Sequence, residues 1–382
     1  IQERTAKALE KLGVPVEDAT RRKLDGFIIT LPTGEEMRVK APMRSVYRGH
    51  GPVHSKNKKP GLDALILDTA LKYPTVNYHQ GKIVDVDLTS GKEALVYLEK
   101  GGPLKSDIFV GAFGHNEELV KKHIKVPVGQ VLDSPKTQKS SVIEIDVGDE
   151  ILNEHFGSYA RVLVLPYDKS KKDSNVLFVA LIPKDNGTLT MVFMGEGAVT
   201  MQETNKFISS EHIARVLPVE LVNKIRSTSL VKDGGCRLCS CSRNTITVAS
   251  PEHYLIAGIG GGILIGDAGL TRLYKDGVGA AVTTAEAAAK AIVANDFTHY
   301  KQVMERDFPY DDHIYADKFL RLNDAIIANP YLRTALLTGK VIPGISHLFI
   351  DPFMRHFLTG DIAYKNILPH KLSEMIFNLF GV

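Results

Sequence analysis

Apolar positions recur along this chain at helical and at alternating spacings, and each spacing predicts its own kind of element. Ile1, Ala6, Leu9 and Leu12 share one helical face, and Gly13 stops that helix. Residues 26–31 and 36–40 flank Pro32, Thr33 and Gly34 and read as a hairpin. The stretch 41–60 is basic and rich in glycine and proline, which reads as a loop. A helix follows over 63–72, with Leu65, Ile66, Leu67 and Leu71 as its apolar side. Strand patterns then occupy 75–78, 82–88, 94–98 and 107–110. The last ends in Gly111, Ala112, Phe113 and Gly114, and 116–123 reads as a short helix. From 125 to 248 strand signals dominate, over 142–147, 160–165, 176–182 and 188–194, with one helical stretch at 211–226. An alanine-crowded helix covers 280–294, and 295–382 is helical with breaks expected at Pro330, Pro343, Pro352 and Pro369.

The segment 255–281 carries the most chemical information. An apolar run ends in Gly266-Asp267, and a second glycine turn, Asp276-Gly277-Val278-Gly279, opens the alanine-rich helix. Glycine lets backbone approach a ligand closely. A new helix N-terminus offers unpaired N–H groups to an anionic or electron-rich ligand. An aspartate just past an apolar strand is placed to accept hydrogen bonds from hydroxyls. The arrangement reads as a cofactor-binding strand–loop–helix. The glycines 258, 260 and 262 do not have the G-x-G-x-x-G spacing of a first dinucleotide-binding unit, because isoleucines stand at 263 and 265.

Composition narrows the class. The chain has 382 residues, 44% hydrophobic and 24% charged, with a net charge of +3. These are ordinary values for a globular protein and argue against nucleic acid as the main partner. The apolar run around 254–265 is broken by glycines and falls short of the roughly 20 residues of a membrane span. Ile1-Gln2-Glu3-Arg4-Thr5 is not a signal peptide, and three cysteines make no disulfide framework, so a cytoplasmic protein is expected. Residues 1–12 read like the middle of a domain.

Strand and helix signals of one α/β unit stand on both sides of the β-rich block. That order predicts an α/β protein of composite α+β build. Its parts are a discontinuous three-layer cofactor domain (1–25, 60–124 and 246–296), an inserted, mostly antiparallel substrate domain (26–59 and 125–245), and a helical C-terminal region (297–382). Gly266-Asp267-Ala268 with the following glycine turn and alanine helix resembles the geranylgeranyl reductase and monooxygenase superfamily of p-hydroxybenzoate hydroxylase-type flavoproteins. Leu62-Asp63, Leu65 and Ala70 resemble that family's Phe-Asp-x-x-Leu-x-x-x-Ala helix. Residues 107–116 resemble its Val-Gly-Ala-Asp-Gly segment, with Phe113 in place of the aspartate. The likeness extends over most of 1–294, loosely in the β-rich block.

This resemblance implies a flavoprotein oxidoreductase with FAD as cofactor. It gives Gly266 and Asp267 to the ribityl chain and Gly277, Val278 and Gly279 to the pyrimidine end of the flavin. It places Gly111 and Gly114 near the pyrophosphate or NAD(P)H. Family members carry an N-terminal G-x-G-x-x-G unit for the ADP half, and residues 1–10 resemble the helix after it. The expectation is therefore a FAD/NAD(P)-binding domain without that first unit.

Two other groups carry chemistry. Cys236, Cys239 and Cys241 have a spacing that suits Zn²⁺ or an iron–sulfur cluster, with His212 or His253 as a fourth ligand. An inert, structural turn and a redox dithiol are the other open readings. Arg44, Tyr47, Arg48, His50 and His54 cluster before the 63–72 helix, and Arg48 is the best choice there to meet cofactor phosphate or substrate. Lys275 stands where it reaches a flavin edge or simply solvent. Leu372, Met375, Ile376, Leu379 and Phe380 form an apolar helical face that docks on its own domain or makes shallow peripheral membrane contact.

The leading expectation is reduction of C=C bonds in an apolar, isoprenoid-like small-molecule or lipid substrate by reduced flavin. The electron donor is open and no catalytic acid is identified. A flavin monooxygenase using NAD(P)H and O₂ is the alternative, and a non-catalytic, metal-stabilised binding protein is the third reading.

Overall fold

Between residues 20 and 46 the apolar and polar side chains alternate on both sides of a turn at Gly34, whose φ of +96° only glycine adopts readily. This alternation folds into the hairpin β1 (Thr20–Thr30) and β2 (Glu36–Val46). A computed structural model describes residues 1–47, 60–90, 92–114, 119, 122–128, 137–165, 174–197, 201–229, 239–246, 255–256, 261–269, 277–309, 312–341 and 351–380. The further strands are β3 (Ile83–Asp87), β4 (Ala94–Leu98), β5 (Leu104–Ser106), β6 (Phe109–Gly111), β7 (Ile124–Lys125), β8 (Thr137–Asp146) and β9 (Tyr159–Val164). They are followed by β10 (Ser174–Pro183), β11 (Thr188–Gly197), β12 (Cys239–Ile246), β13 (Leu255–Ile256) and β14 (Gly262–Leu264).

The strands form a seven-stranded sheet in the order β12-β8-β11-β10-β9-β1-β2, a three-stranded sheet β13-β14-β6 and a four-stranded sheet β5-β4-β3-β7. In the large sheet β1 and β9 run parallel, and every other neighbouring pair is antiparallel. In the small one β14 and β6 are parallel. The architecture is mixed α/β with a helical C-terminal region.

Successive side chains of a strand point to opposite faces, so the large sheet supports two cores. Ile143, Ile145, Leu181, Leu189 and Phe193 pack on one face against Ile208, Ile213, Leu221 and Ile225 of the helices Met201–Ser209, Glu211–Val216 and Val219–Ser229. Ile29, Leu31, Val162, Val164 and Phe178 pack on the other against Phe319, Phe353, Phe357 and Phe377. These aromatics come from Asp312–Ala328, Asp351–Thr359 and His370–Phe380. The sheet is thus a layer between two helical layers. Helix Gly277–Ala294 is long and apolar enough to cross a membrane by composition, yet its Ala287, Ala288 and Ala291 pack against Ile263, Tyr300 and Met304.

Several local expectations change. Residues 41–46 continue β2 because antiparallel pairing with 20–24 outweighs their loop-like composition. Residues 75–78 join no strand, and Val76 and Tyr78 stay exposed, because strand-forming side chains without a partner edge build no ladder. Helix Met201–Ser209 was not expected, and the 211–226 stretch is interrupted at Leu217 and Pro218. Pro330 and Pro352 sit in the first turns of helices and Pro369 just before one, where a missing N–H costs nothing, so they start helices and do not break them. Pro343 lies outside the described residues, as does most of the helix expected over 116–123. In His370–Phe380, Phe377 is buried against Phe319 with ring centroids 5.1 Å apart, whereas Met375 is exposed.

The first helix, Glu3–Lys11, is held by one cation. The buried Arg44 guanidinium meets Glu3 at 2.8 Å and Glu10 at 2.5 Å. The hydrogen bond from Arg44 holds the Glu3 carboxyl below its ordinary value of 4.5. A carboxyl depressed in the folded state stabilises above its unfolded pKa and loses that contribution as pH falls. Unfolding free energy measured by urea titration should therefore fall as pH drops below about 4.5, and Arg44→Met should flatten this dependence.

Candidate functional site

The site grows from the end of β14. Gly266 turns the chain with φ +57°, and its N–H donates to the Thr284 hydroxyl at 2.8 Å. Thr284 is fully buried and donates in turn to the Ala280 carbonyl at 2.8 Å, which ties the loop to the first turns of Gly277–Ala294. A Cβ on Gly266 would lie 3.2 Å from the Ala281 methyl, so the small residues at 266 and 281 permit the approach. Asp267 stands in the 3₁₀ turn Gly266–Ala268. Both its carboxylate oxygens lie 3.3 Å from where a Gly277 Cβ would be. The carboxylate therefore rests over the first residue of the helix, at its positive end. Gly269 closes the turn, since a Cβ there would collide with the Leu264 carbonyl oxygen. That oxygen also accepts from the buried Tyr300 hydroxyl at 2.7 Å.

Gly266, Asp267, Gly277, Val278 and Gly279 are brought together as the sequence predicts. The Val278 side chain packs among Leu9, Leu62 and Leu65, so only its backbone is left to meet a ligand. Gly111 ends β6 beside β14, and its carbonyl accepts from the Ile265 N–H at 2.9 Å. A Cβ on Gly111 would press on Leu264 and Phe113 at 2.5 and 2.7 Å, so strand packing already requires this glycine. Gly114 has φ +62° and open space beside it. Phe113 packs on the core around Phe109 and Leu264.

The other candidates separate. Arg44 is engaged by Glu3 and Glu10 and holds the first helix, not a cofactor. Arg48, His50, His54, Cys236, His253 and Lys275 lie outside the described residues. Cys239 and Cys241 fall in the edge strand β12, in register with Glu144 and Val142 of β8. His212 packs 6.2 Å from the Phe207 ring, and burial holds its imidazole below the ordinary value.

Two features escaped the sequence reading. One is a buried polar cluster. Lys184 and Glu144 form an ion pair with side chains 7% and 10% exposed, and Thr190 donates to the same Glu144 oxygen at 3.0 Å. The Lys184 ammonium lies 4.1 Å from the centre of the buried Tyr47 ring, and the Arg21 guanidinium 4.9 Å from it. Burial pulls Lys184 and Arg21 down and pushes Tyr47 up to about 12. In sequence Glu144 looks like the solvent side of an alternating strand, because nothing local announces that Lys184 and Thr190 will bury it. The second feature is an apolar cavity between the large sheet and the C-terminal helices, lined by Ile29, Leu31, Val164, Phe319, Phe353 and Phe357 among others.

No family model matches the chain, and no curated protein matches it. Solved structures do. Flavin-dependent brominase Bmp2 is 15% identical with a TM-score of 0.58, over 98% of this chain and 87% of that one. Its triple mutant aligns at 16% identity and a TM-score of 0.57, over 100% and 88%. HpxO of Klebsiella pneumoniae, complexed with FAD and uric acid, is 14% identical with a TM-score of 0.56, over 98% and 85%. The chain shares the fold of these flavin-dependent enzymes, with Asp267 and the helix start at Gly277 just past β14 of its small mixed sheet.

Proposed function

We propose that this protein is a FAD-dependent oxidoreductase acting on an apolar organic substrate. The observation that carries the reading is the Asp267 carboxylate held against the bare Cα of Gly277, at the start of an 18-residue helix. The residues fit the ribityl–flavin part of FAD. Asp267 would accept hydrogen bonds from ribityl hydroxyls. The first N–H groups of Gly277, Val278 and Gly279 would donate to the electron-rich pyrimidine edge and stabilise negative charge there. The absent Cβ at 277 keeps that approach open. When bound, the flavin supplies hydride transfer or oxygen activation. The large sheet and its C-terminal helical layer would exclude water from an apolar substrate.

Two directions of chemistry are consistent with this frame. Reduction of an isoprenoid-like C=C bond is supported by the resemblance of 62–70 and 266–279 to geranylgeranyl reductases and by the apolar cavity. Oxygenation is supported by the fold shared with a flavin-dependent brominase and with a FAD-bound, uric-acid-bound enzyme. The purified protein, alone or titrated with FAD, should show flavin absorbance near 450 nm with quenched fluorescence, a conventional flavin signature. Absence of any flavin binding overturns the reading. Substrate-stimulated oxygen consumption with NAD(P)H would select oxygenation, and its absence together with anaerobic reoxidation of reduced flavin by a prenyl substrate would select reduction.

A further inference from the structure

We propose that the cavity between the large sheet and the C-terminal helices is a binding site for the end of a hydrocarbon chain, about three to five carbons long. The proposal rests on the oxidoreductase reading only in calling this chain the non-reacting tail of the substrate. Its floor is the sheet, where Ile29, Leu31 and Val164 are buried. Its walls are aromatic and mutually braced. Phe319 meets Phe353 edge-on at 5.4 Å, and Phe357 lies 6.3 Å from Phe319 and 6.3 Å from Phe178 of the sheet. Such mutually packed rings resist closure of the space from their side.

Size and chemistry define the occupant. The cavity measures about 50 Å³. At about 10–15 Å³ for each water-sized group, that is room for three to five of them. Among the described residues of the lining, Asn323 is the one polar side chain, too little to satisfy several waters or a charged group. An alkyl or single prenyl-type unit meets both limits. A charged or strongly hydrogen-bonding headgroup has to remain outside. In the lining, Asn323, Ile326, Leu336 and Met354 on the helical side are half-buried, whereas the floor residues are buried.

The chain contains no tryptophan, so Phe353→Trp provides a single fluorophore at the cavity wall. Titration of this variant with n-alkanols from propanol to decanol is expected to give saturable fluorescence changes. Affinity should rise about four-fold per added methylene while carbons still enter the cavity. It should level off beyond about five carbons, when the space is full. Val164→Phe in the same background fills the floor and should weaken binding at least ten-fold. Should that variant fail to fold, Leu322→Ala enlarges the cavity by three carbons and should move the plateau by about three. A response that is not saturable, that rises without a plateau, or that is unchanged by both substitutions overturns the proposal. Alkanol binding is read without flavin, so flavin binding without a chain-length plateau removes the cavity site and leaves the oxidoreductase reading intact. A plateau without flavin binding does the reverse.

Discussion

Asp267→Ala should weaken flavin binding roughly ten- to a hundred-fold. A hydrogen bond to a charged acceptor contributes about 1.5–3 kcal/mol, and each 1.4 kcal/mol is ten-fold in affinity. The carboxylate is half-buried and sits in a turn whose geometry is set by its neighbours, through the Gly266 N–H to Thr284 and the close packing of Gly269 on Leu264. These two contacts hold the turn independently of the carboxylate. Flavin fluorescence quenching measures the affinity and circular dichroism checks the fold. Gly277→Ala is the companion test. Its methyl would lie 3.3 Å from both carboxylate oxygens and in the path of the proposed ligand, so a smaller loss of affinity is expected. Unchanged flavin affinity in Asp267→Ala would remove this aspartate from the cofactor site.

Lys184→Met should destabilise the protein by about 3–5 kcal/mol, the usual consequence of leaving one charge of a buried pair without its partner. Glu144 would lose its ion-pair partner while still accepting from the Thr190 hydroxyl, 3.0 Å away, in a buried position. Burial already disfavours the charged lysine, and the facing carboxylate is what retains it. The double variant Lys184→Met with Glu144→Leu should recover most of the loss, because a well-packed apolar pair replaces a buried ionic one at little cost. Urea denaturation of both variants decides the matter. A single variant as stable as the parent would show that the pair is solvated in solution.

Much of the strand content was legible along the chain. The hairpin, β9, β10 and β11 announce themselves by alternation. The failures have physical causes. Residues 41–46 look like a loop because Pro42, Arg44 and Ser45 are poor strand formers, yet pairing with β1 supplies the ladder that local propensity does not. Residues 75–78 look like a strand and receive no partner. Prolines expected to end helices begin them, since a proline at the first helical position sacrifices no hydrogen bond. At the site, glycine turns were readable because φ and close approach leave few residue choices. Whether a given glycine serves a ligand or its own packing was not. Gly111 and Gly269 are required by Leu264, whereas Gly114 faces open space and Gly277 lies under a carboxylate. Arg44, a candidate for phosphate in a basic stretch, is bound by carboxylates from a helix more than 30 residues away.

By itself, the order of residues determined the elements and the local chemistry of the 266–279 turn, because hydrogen-bond geometry, glycine backbone freedom and side-chain alternation act over a few residues. Only the tertiary structure decided which polar groups are buried and which apolar surfaces leave a gap. Glu144 and Lys184 are 40 residues apart, and the cavity is closed by β1, β9 and helices beginning at 312 and 351. Burial is a property of layers stacked across the whole chain, and no local pattern states which face of a sheet a distant helix will cover.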